Sequence, residues 1–101
     1  MFETRPENQK IEYMYFGASQ KMPSGETIKS GDSVNLKFKQ YDVEVAQIVV
    51  INETSFSGIV KSISNNENGK DVSEVGNPLK IQLNSSIQFT EDRIFHCTRK
   101  S

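Results

Sequence analysis

Val43-Glu44-Val45-Ala46-Gln47-Ile48-Val49-Val50-Ile51 is the stretch whose reading decides the fold. Val43, Val45, Val49 and Ile51 hold odd positions and Ala46, Ile48 and Val50 even ones, so both faces turn apolar in its second half. By periodicity alone, such a run suits a buried helix as well as a buried strand. β-Branching separates the two, because two heavy atoms on Cβ restrict χ1 in a helix yet pack well on a pleated surface. The segment therefore reads as the central strand of a sheet, covered on both faces.

Working outward, Val34, Leu36 and Phe38 alternate with Asn35, Lys37 and Lys39, the pattern of a half-buried strand, and Gln40-Tyr41-Asp42 supplies the turn into the central strand. On the other side Asn52-Glu53-Thr54 leads into Ser55 to Ile63, close enough to pair back as an antiparallel hairpin. Gly58 inside that strand signals a bulge, a sharp bend or a close approach of another group. A long polar connection over 64–78 follows, in which Val72 and Val75 could pin one helical turn. Leu79, Ile81 and Leu83 alternate after it. Asn84-Ser85-Ser86 turns the chain into Ile87-Gln88-Phe89, and Ile94 to Thr98 forms the last strand. Upstream, aromatic-rich Ile11 to Phe16 reads as a strand stopped by Gly17, and 17–32 as a loop with two corners. The polar first ten residues read as a flexible arm, leaving 11–101 as a single domain.

Five or six short antiparallel strands with polar corners on a chain of 101 residues imply an all-β fold, a strongly curved sheet or small barrel. The run Phe89-Thr90-Glu91-Asp92-Arg93-Ile94-Phe95 resembles the strand, tight turn and final short strand that close SH3-like β-barrels, a resemblance spanning roughly 31–98. The chain also looks similar to small bacterial proteins of unassigned function that carry a Gly-Asp corner, here Gly31-Asp32, a long valine-rich strand and a final Ile-Phe-x-Cys-like segment. Its second corner reads Asn84-Ser85-Ser86 instead. The resemblance implies no catalytic residues.

Composition narrows the classes of function. Hydrophobic residues make up 35% and charged residues 25%, which excludes a disordered polyelectrolyte. The longest continuous apolar run is Ile48 to Ile51, far short of the roughly 20 residues of a membrane helix. With no signal-peptide pattern at Met1 to Lys10 and one cysteine, Cys97, a cytoplasmic location is the expectation. Net charge is -1 and evenly spread, so nothing steers a polyanion strongly. Arg93, Arg99 and Lys100, beside Glu91 and Asp92, read as a charged tail.

Catalytic patterns are missing. Adjacent residues on a strand project to opposite faces, so His96 and Cys97 do not form a thiol–imidazole dyad but a wall histidine and a small buried cysteine. One His and one Cys are too few for a zinc site, and the glycines at 17, 25, 31, 58, 69 and 76 have no phosphate-loop spacing, so no metal and no cofactor is expected. Asp42/Glu44 and Glu91/Asp92 are the densest acids and read as solvated surface. What remains is recognition. The expected function is a non-catalytic binding module for a protein or peptide partner, the alternatives being a nucleic-acid-binding barrel and, behind it, an enzyme. The candidate contact residues are the aromatics Tyr13, Tyr15, Tyr41 and Phe56, with Lys37 and Lys39 as the cations that nucleic acid would require.

Overall fold

The computed structural model describes residues 2–15, 22, 25–72 and 81–99. The β-branched run lies in the longest strand. In chain order the strands are β1 (Glu12–Tyr15), β2 (Ser33–Phe38), β3 (Tyr41–Asn52), β4 (Ser55–Asn65), β5 (Ser86–Thr90) and β6 (His96–Arg99), with a 3₁₀ turn over Glu91–Arg93 between the last two. The described residues contain no α-helix, and no helix among them is long and apolar enough to cross a membrane.

All six strands belong to one sheet in the order β1-β6-β2-β3-β4-β5. The expected all-antiparallel arrangement is corrected at one end, where β1 runs parallel to β6 with Glu12 beside His96 and Tyr15 beside Arg99. The sheet is open and mixed, not closed. Parallel pairing requires a long crossover, and here everything from β2 to β5 lies between the two partners in the chain.

Long strands let one sheet wrap a core. β2 pairs with the first part of β3, from Phe38↔Tyr41 to Val34↔Val45, whereas β5 pairs with the first part of β4, from Ser55↔Thr90 to Ile59↔Ser86. The register between β3 and β4 shifts at Glu44/Val45, Ala46/Val49 and Val50/Asn52. Each extra residue bends its strand and increases the twist. At the middle shift Gln47 takes a positive φ of 53°, and Ile48 exchanges hydrogen bonds with the Gly31-Asp32 corner: Gly31 N–H to Ile48 O at 2.9 Å and Ile48 N–H to Asp32 O at 3.1 Å. Gly31 makes that corner at a φ of +94°, a conformation that L side chains rarely adopt.

The inner face holds Val34, Leu36, Val43, Val45, Ile48, Phe56, Val60, Ile63, Phe89, Ile94 and Cys97. Gly58 sits where the bend presses hardest, since a Cβ there would lie 2.5 Å from Val45 Cγ1, 2.8 Å from Ile48 Cδ1 and 3.0 Å from Ala46 O. The turn before β3 falls one residue earlier than expected, at Lys39 and Gln40, with Lys39 at φ 54° and Tyr41 and Asp42 already in the strand. Ile81 and Leu83 pack against the core without forming a strand. Residue 79 and the proposed partner of Val72, Val75, lie outside the described residues.

Residues 2–9, read as an arm, contact the sheet through specific bonds. Glu3 N–H donates to Lys37 O at 2.8 Å and Arg5 N–H to Asp92 O at 2.7 Å. The Arg5 guanidinium donates to the carbonyls of Gln9, Glu91 and Ile94 and to the Glu91 carboxylate, all within 2.6–2.9 Å. The Arg93 guanidinium donates in return to Phe2 O.

Candidate functional site

Alternation turns every second residue of β1, β6, β2, β3 and β4 away from the core. The register aligns five of them into a row: Glu12 beside His96, His96 beside Asn35, Asn35 beside Glu44, and Glu44 beside Ser62. The neighbouring rows place Thr98 beside Ser33, and Lys37 beside Asp42 beside Ser64. These rows lie on the face of the sheet opposite the core. A groove of about 310 Å³ runs over it, lined by Ser33, Asn35, Asp42, Glu44, Ser62, Ser64, His96 and Thr98.

Polar groups inside the groove are partly satisfied by one another. His96 Nδ1 lies 2.9 Å from Glu12 Oε2, both side chains about half exposed, and Ser62 Oγ donates to Glu44 Oε2 at 3.2 Å. Asp42 is different: among the described residues its Oδ1 is the buried side-chain oxygen with no hydrogen-bond partner. Lys37, its cross-strand neighbour, holds its ammonium over the Phe95 ring, 5.1 Å from the centroid. A shielded carboxylate oxygen without a donor is unfavourable by about 1–3 kcal/mol, more when charged.

The six contact residues expected from sequence are not brought together. Phe56 is 3% exposed and stacks on Phe89 with ring centroids 6.2 Å apart, so it belongs to the core. The reason is alternation along β4, which puts Phe56 on the same buried face as Gly58 and Val60, with Phe89 as its partner across the ladder. Tyr13 and Tyr41 are half-buried against that core. Burial of Tyr13, reinforced by neighbouring Cys97 and Glu91, pushes its phenol pKa above the usual value. Tyr15 lies at the end of β1 opposite Arg99. Lys39 stands over the ring of Phe38 at 5.3 Å, at the turn. Of the six, Tyr13 reaches a concavity, a second one of about 550 Å³ whose lining includes Ile11, Met22, Arg5, Lys10, Glu7 and Glu26.

His96 and Cys97 project to opposite faces as alternation requires. His96 lines the groove, while Cys97 is fully buried and donates its thiol to Asp32 Oδ2 at 3.4 Å. Burial, and then the Asp32 charge, push the thiol pKa far up, which disfavours the thiolate that a nucleophile requires. Arg99, read from sequence as part of a charged tail, is instead the partner of Asp32: Nε–Oδ1 and Nη2–Oδ2 are both 2.9 Å, and Nη2 also donates to Thr27 O. Asp32 is 2% exposed. Burial opposes its ionisation, but the Arg99, Lys29 N–H and Cys97 bonds outweigh that and hold its pKa below the usual carboxylate value. The Asp32 carboxylate, and after it Glu26, correspondingly raise the pKa of Arg99.

From sequence Asp42/Glu44 read as solvated surface and Asn35 only as the polar face of a strand, while Ser62 and Ser64 carry no signal of their own. The signal that could have found the groove is the pairing register, which aligns outward polar residues from five strands. Compared with known proteins, the chain matches no family model, no curated protein and no solved structure.

Proposed function

We propose that the protein is a non-catalytic binding module whose site is the groove across β6, β2, β3 and β4, and whose ligand is a peptide segment of a protein partner bearing a lysine or arginine side chain. The observation that carries this reading is the shielded, unpartnered Oδ1 of Asp42 beside Glu44. A guanidinium or ammonium brings several donors at once, and charge-assisted bonds to carboxylate are about twice as strong as neutral ones. Hydroxyl and amide groups of Ser33, Asn35, Ser62 and Ser64 are suited to the peptide's own polar groups.

An SH3-like arrangement fits this role. It is supported by the 3₁₀ turn at Glu91–Arg93 between β5 and β6 and by the return of β6 to lie beside β2. Recognition by such a fold remains an argument from the site and not from architecture. The nucleic-acid alternative is weaker, since Asp42 and Glu44 line the groove and the ammonium groups of Lys37 and Lys39 sit over Phe95 and Phe38.

Isotope-edited NMR titration with short Lys/Arg-containing peptides, against acid-substituted controls, tests the proposal. Shifts confined to groove residues, with affinity falling about tenfold in Asp42→Asn, equivalent to about 1.4 kcal/mol, support it. Equal shifts with acidic and basic peptides, or none at millimolar peptide, refute it.

A further inference from the structure

Lys37 stands directly across the β2–β3 ladder from Asp42. Opposite charges at such positions, with Cβ atoms about 4.5–5.5 Å apart, ordinarily attract one another into a pair. Here the lysine takes another partner: Oδ1 of Asp42 has no hydrogen bond, and the Lys37 ammonium lies over the Phe95 ring, 5.1 Å from its centroid. The backbone of Phe95 is held from both sides. Its N–H donates to Asn35 O on β2 at 3.1 Å, and its carbonyl accepts from Glu12 N–H on β1 at 3.2 Å. Phe95 is buried, yet it stands apart from the inner-face cluster. Lys37 is accordingly not among the residues that line the groove.

We propose that Phe95 is a positioning residue for the groove: its ring keeps the chain's own cation off Asp42 and so leaves that carboxylate to the cation of a ligand. The inference rests on the reading of the groove as a site for lysine- or arginine-bearing peptides. A tethered ammonium one strand away is a competitor that no dilution removes. The face of an aromatic ring attracts an ammonium about as strongly as a cross-strand carboxylate does, and it uses none of the groove's acceptors. Without the ring Lys37 returns to Asp42, and a ligand binds only the fraction of molecules in which that pair is open. Cross-strand pairs of opposite charge are strong enough to hold that fraction between about two-fifths and one-sixth, so affinity falls about two- to sixfold.

NMR titration of an arginine-containing peptide into the wild type, Phe95→Leu, Lys37→Met and Lys37→Met/Phe95→Leu tests it. Phe95→Leu binds about two- to sixfold more weakly than the wild type, whereas in the Lys37→Met background the same substitution changes nothing, because the competitor is gone. A purely structural role for Phe95 weakens both backgrounds alike. The wild type supplies a second measurement that needs no variant to fold. An ammonium over a ring face places the Lys37 ε-methylene protons in the shielding zone of the ring, so they resonate upfield of an ordinary lysine and stay there at saturating peptide. Undiminished affinity in Phe95→Leu, equal losses in the two backgrounds, or Lys37 ε-methylene protons at the ordinary lysine position overturn this inference and leave the groove reading standing. A wild type that binds no basic peptide at millimolar concentration overturns that reading and this inference with it.

Discussion

Arg99→Ala tests how the ends of the fold are tied. Arg99, on the last strand, makes two 2.9 Å bonds to the buried Asp32 carboxylate, one to Thr27 O, and an ion pair with Glu26 at 3.3 Å. Its removal leaves Asp32 charged, 2% exposed and held only by Lys29 N–H and the Cys97 thiol. Removing one partner of a buried pair costs about 3–5 kcal/mol. Against a total stability of about 5–15 kcal/mol for a domain of this size, that is a fifth or more. The melting temperature is expected to fall by more than about 10 °C, at roughly 4–8 °C per kcal/mol.

The pH profile carries the diagnostic. In the wild type the folded pKa of Asp32 is depressed, so its contribution is complete above the unfolded value near 4 and is lost only as pH falls through the lower folded value. In Arg99→Ala burial raises that pKa, so the folded state binds a proton more readily than the unfolded one. The variant therefore recovers stability as pH drops from 7 toward 5, where the wild type gains nothing from this group. Urea denaturation at pH 5 and 7, with Asp32→Asn and Asp32→Asn/Arg99→Ala closing a double-mutant cycle, measures both effects. A loss under about 1 kcal/mol at pH 7, or a variant with no recovery at pH 5, refutes the reasoning.

Other expectations follow from single contacts. Gly58→Ala drives a methyl group into Val45, Ile48 and the Ala46 carbonyl, costing about 1–3 kcal/mol by denaturant titration; a neutral result means that β3 yields there. Cys97 in the native protein is inert to a thiol reagent at pH 8, since burial and Asp32 suppress the thiolate; reaction at the rate of an unfolded control contradicts this. His96→Ala loses a half-exposed pair with Glu12 and costs under about 0.5 kcal/mol, whereas a larger loss would give that pair a structural role. Mixed-sequence DNA or RNA binds no tighter than about 10 μM at physiological salt; submicromolar anisotropy that Lys37→Glu and Lys39→Glu weaken favours the nucleic-acid alternative.

Local chemistry made much of this fold readable. β-Branching from Val43 to Ile51, alternation from Val34 to Lys39 and the polar corners depend on neighbours in the chain, so they place strands without knowledge of partners. The opposite faces of His96 and Cys97 follow from the same two-residue period. What tertiary structure decided depends on contacts between residues far apart in sequence. A parallel β1 beside β6 cannot be read from either strand, because both orientations suit the same alternation. Phe56 looks like a displayable aromatic until the pairing of β4 with β5 sets it against Phe89 on the core face, and Arg99 looks like tail charge until strand pairing delivers it to Asp32, 67 positions earlier. The groove arises in the same way: Asp42, Glu44, Asn35, Ser62 and His96 are ordinary polar alternates one at a time, and only the lateral register of separate strands, set by core packing on the other face, brings them together.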